Sequence, residues 1–490
     1  MHIVLLTMFL RIKKFKNLKN VRIMKRRYFL FFNCLNFLIA ASLFTGCGLY
    51  NKYERPEVDA QGLIRDAVSD IDTLAVQDTA SFGNLPWRQV FTDPVLQTLI
   101  EQGLEKNADL QNAVLNVQMY ETMLKAAKLA FLPAIQFGSA SGSISTLYTD
   151  PSVTTKAYSL PITASWTLDL FGNVLSQKRS TQMKMLGMKD YQMAVRAQVI
   201  SGIANSYYTL LMLDKQVEIV DEMSRMSKET WEMMKLQHQL GRVRSTGVQS
   251  AEAAYLSMQT RANDFKRQIR ATENALSLLI GQAGQQIPRT TLEAQSLPSE
   301  FATGVGIQLL ANRPDVHNAE MQLAACFHDV QTARSQFYPT ISIGATGAFT
   351  NSNGAVNPGK WLLNLFGNLT QPIFMRGVLT ANLKVNQLKY EQAFNTWQKS
   401  ILSAGNEVSN ALVNYNAYDA NSKIEAERIK VLAKSVEDTK ALYSSSGSSY
   451  LEVLTAEQNL LNAQLNKISN DFNKMQAVVS LYTALGGGGK

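Results

Sequence analysis

The chain has 490 residues, of which 46% are apolar, 9% aromatic and 18% charged, with 48 Lys and Arg against 39 Asp and Glu. This is too apolar and aromatic for a disordered protein, and long enough for two or three ordinary domains or one large repeated architecture. The formal charge of +9 comes from the start: residues 1–46 hold nine Lys or Arg and no acid, which leaves 39 against 39 afterwards and no basic footprint for nucleic acid.

From Met24 the sequence reads MKRRYFLFFNCLNFLIAASLFTGC. Three basic residues, an apolar run from Tyr28 to Leu43 and small residues before Cys47 make a secretory leader, with Met24 rather than Met1 as its start. The run is shorter than the ~20 residues of a spanning helix. Leu43-Phe44-Thr45-Gly46-Cys47 resembles a bacterial lipobox, in which the cysteine is acylated and becomes the first mature residue. The alternative is an ordinary signal peptide with an incidental Cys47. With only Cys34, Cys47 and Cys326 present, a disulfide framework is excluded.

The body of the chain repeats itself. Asp109-Leu110-Gln111-Asn112-Ala113 returns as Asp315-Val316-His317-Asn318-Ala319, and Phe131-Leu132-Pro133-Ala134-Ile135 as Phe337-Tyr338-Pro339-Thr340-Ile341, both 206 residues later. Ala251-Glu252 and Gly281 reappear as Ala456-Glu457 and Gly486, 205 later. A near-constant offset marks a duplicated unit. The expected organisation is a leader over 1–46, a lipidated segment over 47–89, a first repeat over 90–285, a linker over 286–304, a second repeat over 305–486 and a flexible Gly tail over 487–490.

Each repeat reads as a helix, two strands, a very long helix, a turn and a second long helix, an α+β pattern. Tyr158, Leu160, Ile162, Ala164, Trp166 and Leu168 alternate with Ser159, Pro161, Thr163, Ser165, Thr167 and Asp169. Ile341, Ile343, Ala345, Gly347 and Phe349 alternate likewise with polar or small residues. Runs of about 10 residues with this alternation suit tilted membrane strands, although a sandwich with one wet face alternates too, and Pro161 removes a ladder donor. From about Leu175 to Leu240 and from Val378 to Tyr443 almost nothing breaks a helix. At ~1.5 Å per residue each would reach about 100 Å. Beyond each turn, Val248, Ala251, Tyr255, Met258, Ala262, Phe265, Ile269, Thr272, Leu276 and Leu279 step 3,4,3,4, as do Leu451, Leu454, Gln458, Leu461, Leu465, Ile468, Phe472, Met475, Val479 and Tyr482. A sustained 3.5 period is a coiled-coil seam.

Four membrane strands cannot close a barrel, and an open edge in lipid leaves backbone groups unpaired. Such a chain has to oligomerise, and three or more copies are needed to leave a lumen.

The duplicated unit, the F-x-P-x-I-x-x-G entry to each hairpin and the turns at Phe171-Gly172 and Arg376-Gly377 resemble the TolC-like outer-membrane efflux factors. Cys47, Tyr53-Glu54-Arg55-Pro56 and Ala311-Asn312-Arg313-Pro314-Asp315-Val316 are similar to the family's NodT-type lipoprotein branch. The resemblance implies a homotrimer lipid-anchored in the outer membrane, with a 12-stranded β-barrel on a 12-helix α-barrel extending into the periplasm. It also implies a periplasmic adaptor, an inner-membrane transporter of the RND class, and a passive exit duct for drugs or other small solutes. A type I secretion exit for polypeptides and a lipid-anchored coiled-coil scaffold without a pore are the alternatives.

By the family pattern the helix-turn-helix tips form the periplasmic entrance. Tyr443 and Glu452 match gate positions, and Gly241, Arg242, Arg244 and Gly447 fall at tips that meet the adaptor. Ser448, Thr455 and Gly247 stand where the family can carry charges, so contacts through Tyr443 are favoured over a charge-linked gate. Tyr443 as a helix-end packing residue, Glu452 as a solvated charge, the arginines as helix-terminal cations and the glycines as caps are the competing readings. No catalytic, cofactor or metal pattern is present, since His238, His317 and His328 lack a zinc-site spacing with any cysteine.

Overall fold

A computed structural model describes residues 51–57, 82–298, 313–352, 361–444 and 449–489. Cys47, the leader, Gly447 and Ser448 lie outside the described residues. The chain divides into two compact units: one holds residues 1–54, 131–176 and 330–383, the other residues 55–130, 177–329 and 384–490.

The first unit is built on an antiparallel sheet. Strands β1 (Ala134–Phe137) and β2 (Ser141–Leu147) both pair with β3 (Val153–Leu168), which pairs with β4 (Thr340–Ser352), which pairs with β5 (Trp361–Thr370). The first hairpin therefore departs from the simple two-strand reading, because its outer strand is split. Phe137 faces Ile162 while Ser141 faces Ser159, so three residues on one side oppose two on the other, a one-residue bulge. Pro161 sits at that bulge. Its carbonyl accepts from Gly138 N at 2.8 Å, so the side of the residue that lacks an N–H points at the break. The blemish read from the sequence is accommodated where a ladder tolerates it.

The second unit is helical. Helix α1 (Pro94–Lys106) is followed by α2 (Ala108–Leu129), and α3 (Asn173–Gln239) turns into α4 (Ser245–Leu279). After α5 (Pro314–Ser335), α6 (Val378–Ser444) turns into α7 (Tyr450–Ala484). The pairs α3 and α6, of 67 residues each, and α4 and α7, of 35 each, begin and end at an offset of 205. Among the described residues no helix is long and apolar enough to cross a membrane.

The helix boundaries repeat because their local devices repeat. Gly172 and Gly377, with φ of 70° and 81°, open the two long helices and accept their first bonds from Ser176 N and Ala381 N at 2.9 Å each. Gly281 and Gly486, with φ of 69° and 83°, close α4 and α7 in matching Schellman turns, where Gln282 N donates to Ser277 O at 2.8 Å and Gly487 N to Tyr482 O at 2.9 Å. The preceding carbonyls are also held twice. Asn107 Nδ2 donates to Leu279 O at 2.9 Å, and Arg313, 206 residues later, donates to Ala484 O at 3.0 Å.

All ten seam positions of α4 are buried or half-buried, as are nine of the ten on α7, Leu451 being the exception. A cluster of Val220, Met223, Met258, Ala262, Val436, Ala456, Leu460 and Leu461 joins all four long helices. Elsewhere Tyr482 is buried edge-on against Phe82 and Phe91, with ring centroids 5.5 and 5.9 Å away, and its hydroxyl donates to Leu85 O at 2.8 Å. Asp93 caps α1 by accepting from Val95 N at 2.8 Å, and its other oxygen accepts from Tyr207, Thr290 and Gln295. Burial pushes the Asp93 carboxyl up, but those donors outweigh it and hold the group below its ordinary value.

The expectation of a flexible Gly tail is not met by Gly487–Gly489, which are buried. A Cβ on Gly487 would meet the Tyr482 ring at 2.3 Å, and Arg196 donates to Gly488 O at 3.2 Å. Glycine is there because a side chain has no room. Gly487→Ala should therefore destabilise the fold by about 1–3 kcal/mol through overpacking, seen as a lowered thermal midpoint, whereas Gly347→Ala, with nothing within 4 Å of its Cβ, should not.

Candidate functional site

Two features carry chemistry that a water-soluble helical protein does not need. The first is the sheet. Its register places Ile135 and Phe137 of β1 beside Ala164 and Ile162 of β3, Trp166 beside Ile343 of β4, and Ala345, Gly347 and Ile341 beside Leu365, Leu363 and Leu369 of β5. One face is therefore apolar from edge to edge. On its outer strands Ile135, Phe137, Leu363, Leu365 and Leu369 are 66–79% exposed. A patch of that extent marks a surface that meets something other than water.

The opposite face carries Gln136, Thr163, Thr346 and Asn364 in one row and Thr167, Ser342 and Asn368 in another. The Thr163 and Thr346 hydroxyls lie 3.4 Å apart. Phe366 is a large apolar residue on this face, and it lies over Gly344, where a Cβ would meet its ring at 2.4 Å. Both outer edges are open: β5 pairs only with β4, and β1 and β2 only with β3, among the described residues. Each edge is a row of unpaired backbone donors and acceptors.

The second feature is the helix tips. Gly241, with φ of 72°, ends α3 in a Schellman turn: its N–H donates to His238 O and that of Arg242 to Gln237 O, both at 2.9 Å. The cap reading of Gly241 thus has its geometry in place. Arg242 and Arg244 are exposed and make no ion pair among the described residues. Tyr443, near the end of α6, lies with its hydroxyl 2.9 Å from Gln237 Oε1 and 2.9 Å from Met234 Sδ on α3. Burial raises the Tyr443 hydroxyl above its ordinary value, so the group stays a neutral donor. A Cβ on Gly247 would come within 2.8 Å of Met234 Cε, so an acid at that position would disturb the residue that Tyr443 touches.

Glu452 is exposed in the first turn of α7, where Ser449 Oγ donates to its Oε1 at 3.4 Å. Among the described residues no hydrogen bond joins it to Tyr443. The buried acid near this tip is Glu457, which accepts from Lys440 Nζ at 2.8 Å and Thr230 Oγ1 at 3.4 Å and so joins α3, α6 and α7. Burial, first, and the charge of Glu457 push the nearby Tyr450 hydroxyl up to about 12. In the sequence Glu457 stands out only as part of the repeat. The available signal was its place among Val453, Ala456, Leu460 and Leu461 on one helical face.

Along α6 a second apolar stripe runs apart from the intrachain seam. Leu388, Leu402, Val413, Ile424, Val431 and Leu442 are 44–69% exposed, and their spacings of 14, 11, 11, 7 and 11 are each close to whole turns. No group of His, Cys, Asp and Glu suited to a metal occurs among the described residues. The histidines sit in separate settings. His317 Nδ1 lies 2.7 Å from Oδ2 of the buried Asp190, which raises its pKa against the lowering effect of burial. His328 is buried and pushed down to about 4, first by desolvation and then by Arg179.

These two histidines set opposite pH trends. The His317 contribution to stability is complete below the unfolded value of 6.5 and is lost as pH rises through the raised folded value. The His328 contribution is present above 6.5 and lost as pH falls toward about 4. In thermal melts between about pH 4.5 and 8, the deficit of His317→Gln against wild type should shrink as pH rises, while His328→Gln should gain on wild type as pH falls. Parallel trends for the two variants would refute the assignment.

A family model for outer membrane efflux proteins matches residues 99–282 and 306–487. The cation efflux system protein CusC of Escherichia coli K12 is 29% identical over 459 residues, covering 93% of this chain and 99% of CusC. The toluene efflux pump outer membrane protein TtgC of Pseudomonas putida is 26% identical over 471 residues, covering 93% and 95%. A crystal structure of CusC aligns with a TM-score of 0.79 at 26% identity over 89% of this chain and 99% of that one. The CmeC outer membrane channel of Campylobacter jejuni shares the fold, with a TM-score of 0.78 at 22% identity over 90% and 95%.

Proposed function

Because the chain belongs to the outer membrane efflux protein family, we propose that three copies join their open sheet edges into a closed barrel through which the pump's cargo leaves the cell. The protein is an outer-membrane efflux channel that extends into the periplasm. The observation that carries the proposed assembly is the sheet itself, apolar across one face and unpaired at both edges. In hydrocarbon each unpaired backbone group costs several kcal/mol, so an isolated four-pass sheet is not a viable spanning structure. Two copies would make eight strands with an interior filled by side chains. Three make twelve and leave a lumen. The exposed stripe on α6 supports the same assembly, since it supplies an apolar surface for a neighbouring copy's helices.

Cys47 is the proposed site of acylation, anchoring the chain to outer-membrane lipid. Gly241, Arg242, Arg244 and Gly447 mark the tips that would meet a periplasmic adaptor, which would couple the duct to an inner-membrane RND-type transporter. Tyr443 is the proposed gate contact. Its bond to Gln237 ties one helix pair to the other, and a single neutral hydrogen bond of about 0.5–1.5 kcal/mol is strong enough to bias closure and weak enough to break. Glu452 is a proposed bore-facing acid. The relatives' names span a cation and toluene. That range fits a duct for small solutes chosen elsewhere in the pump.

Deleting the gene should make cells hypersensitive to drugs, dyes or detergents, with rescue by wild type and impaired rescue by Cys47→Ala. Unchanged susceptibility together with a changed secretome would instead indicate a polypeptide exit. Purified Tyr443→Phe should conduct more than wild type in planar bilayers, by up to roughly tenfold if the full bond energy biases the gate. Equal conductance would remove Tyr443 from the gate.

A further inference from the structure

The sequence Tyr53-Glu54-Arg55-Pro56 has no role in the strands or the tips, yet it is tied to α5 by a two-point ion pair. Arg55 Nε donates to Glu320 Oε1 at 2.7 Å and Arg55 NH2 to Glu320 Oε2 at 2.5 Å. The Glu320 side chain is 6% exposed and that of Arg55 51%. A planar fork meeting a carboxylate at two points fixes orientation as well as distance. Pro56 then sets the backbone direction on the far side of the contact.

The asymmetry of burial is informative. Glu320 is a buried acid on a helix, and its two oxygens are met by a cation from a surface segment distant in sequence. His317, one turn earlier on α5, is engaged with Asp190. Taking Arg55 away would leave a buried carboxylate without its forked partner, a costly state. The surface of α5 is therefore complete only when the N-terminal arm lies on it.

We propose that Arg55 and Glu320 form a clasp that seats the membrane-anchored N-terminal arm on α5, so that the anchor and this helix are mechanically coupled. The proposal rests on the reading of Cys47 as the acylated residue. Arg55 is eight residue steps beyond Cys47, and an extended chain of that length reaches at most ~28 Å. The clasp thus limits how far α5 stands from the lipid headgroups, which a loose arm would not do.

Limited trypsin digestion of the full-length protein in detergent micelles tests this at the Lys52–Tyr53 bond, and mass spectrometry of the released Cys47–Lys52 peptide reports acylation. Arg55→Ala and Glu320→Gln should each speed cleavage by roughly tenfold, because the arm opens more often. The exchanged pair, Arg55→Glu with Glu320→Arg, should return it toward wild type. Equal cleavage of wild type and Arg55→Ala would overturn the clasp, as would an exchanged pair cut as fast as the single variants while retaining wild-type thermal stability. A protected arm whose peptide carries no lipid would overturn the anchor reading and the coupling built on it, while leaving the ion pair as a structural contact. In cells, Arg55→Ala should lower drug resistance to the extent that Cys47→Ala does, with no further loss in the double variant. Additive losses would show that the two act separately.

Discussion

The constraint on which the rest depends is that a backbone at hydrocarbon depth must have every N–H and C=O paired. The sheet satisfies it internally across β3 and β4 and fails it at β5 and at β1 and β2. Its apolar face cannot stay in water, and its edges cannot stay in lipid alone. Both demands are met when copies of the chain complete one another, which is why the proposed assembly follows from strand number. The bulge beside Pro161 fits the same logic, since a missing donor is placed at a break rather than inside a continuous ladder.

The helical part solves a different problem, that of holding 67-residue helices in register by contacts at their ends. Both repeats open the long helix with a left-handed glycine and close the shorter one with another. Both also bind a last-turn carbonyl of the shorter helix with a side chain from the residue just before an earlier helix of the same repeat, yet the chemistry has diverged. Asn107 does this as a neutral amide that also caps α2, while Arg313 does it as a buried cation balanced by Asp315 and Glu407. The position is kept because the geometry requires a donor there, and either donor suffices.

Much of this was legible in the sequence because it is periodic. The seam on α4 and α7 follows from 3,4 spacing, the faces of β3 and β4 from alternation, and the duplication from a fixed offset. What was not legible depends on single contacts. Nothing local says that Glu320 is a buried acid, and although the apolar face around Glu457 marks its burial, nothing local names Lys440 as its partner. The split of β1 and β2 is set by Pro161 on the neighbouring strand. The Gly487–Gly489 run reads as flexible by composition and is packed because Tyr482 occupies the space its side chains would take. Tyr443 stands out through resemblance rather than physics, and nothing in the sequence points to its partners Met234 and Gln237.

The divergence of the two repeats also reaches their tips. The turn after α3 carries Arg242 and Arg244, whereas the turn after α6 is written in serines and a glycine. In the proposed trimer these tips alternate, so the ring has six similar positions but only three-fold chemical symmetry. A partner with true six-fold symmetry would meet charged and uncharged sites in turn and bind them with unequal strength. Such a ring has a built-in phase, and docking half a step out of register would place every charge against the wrong surface.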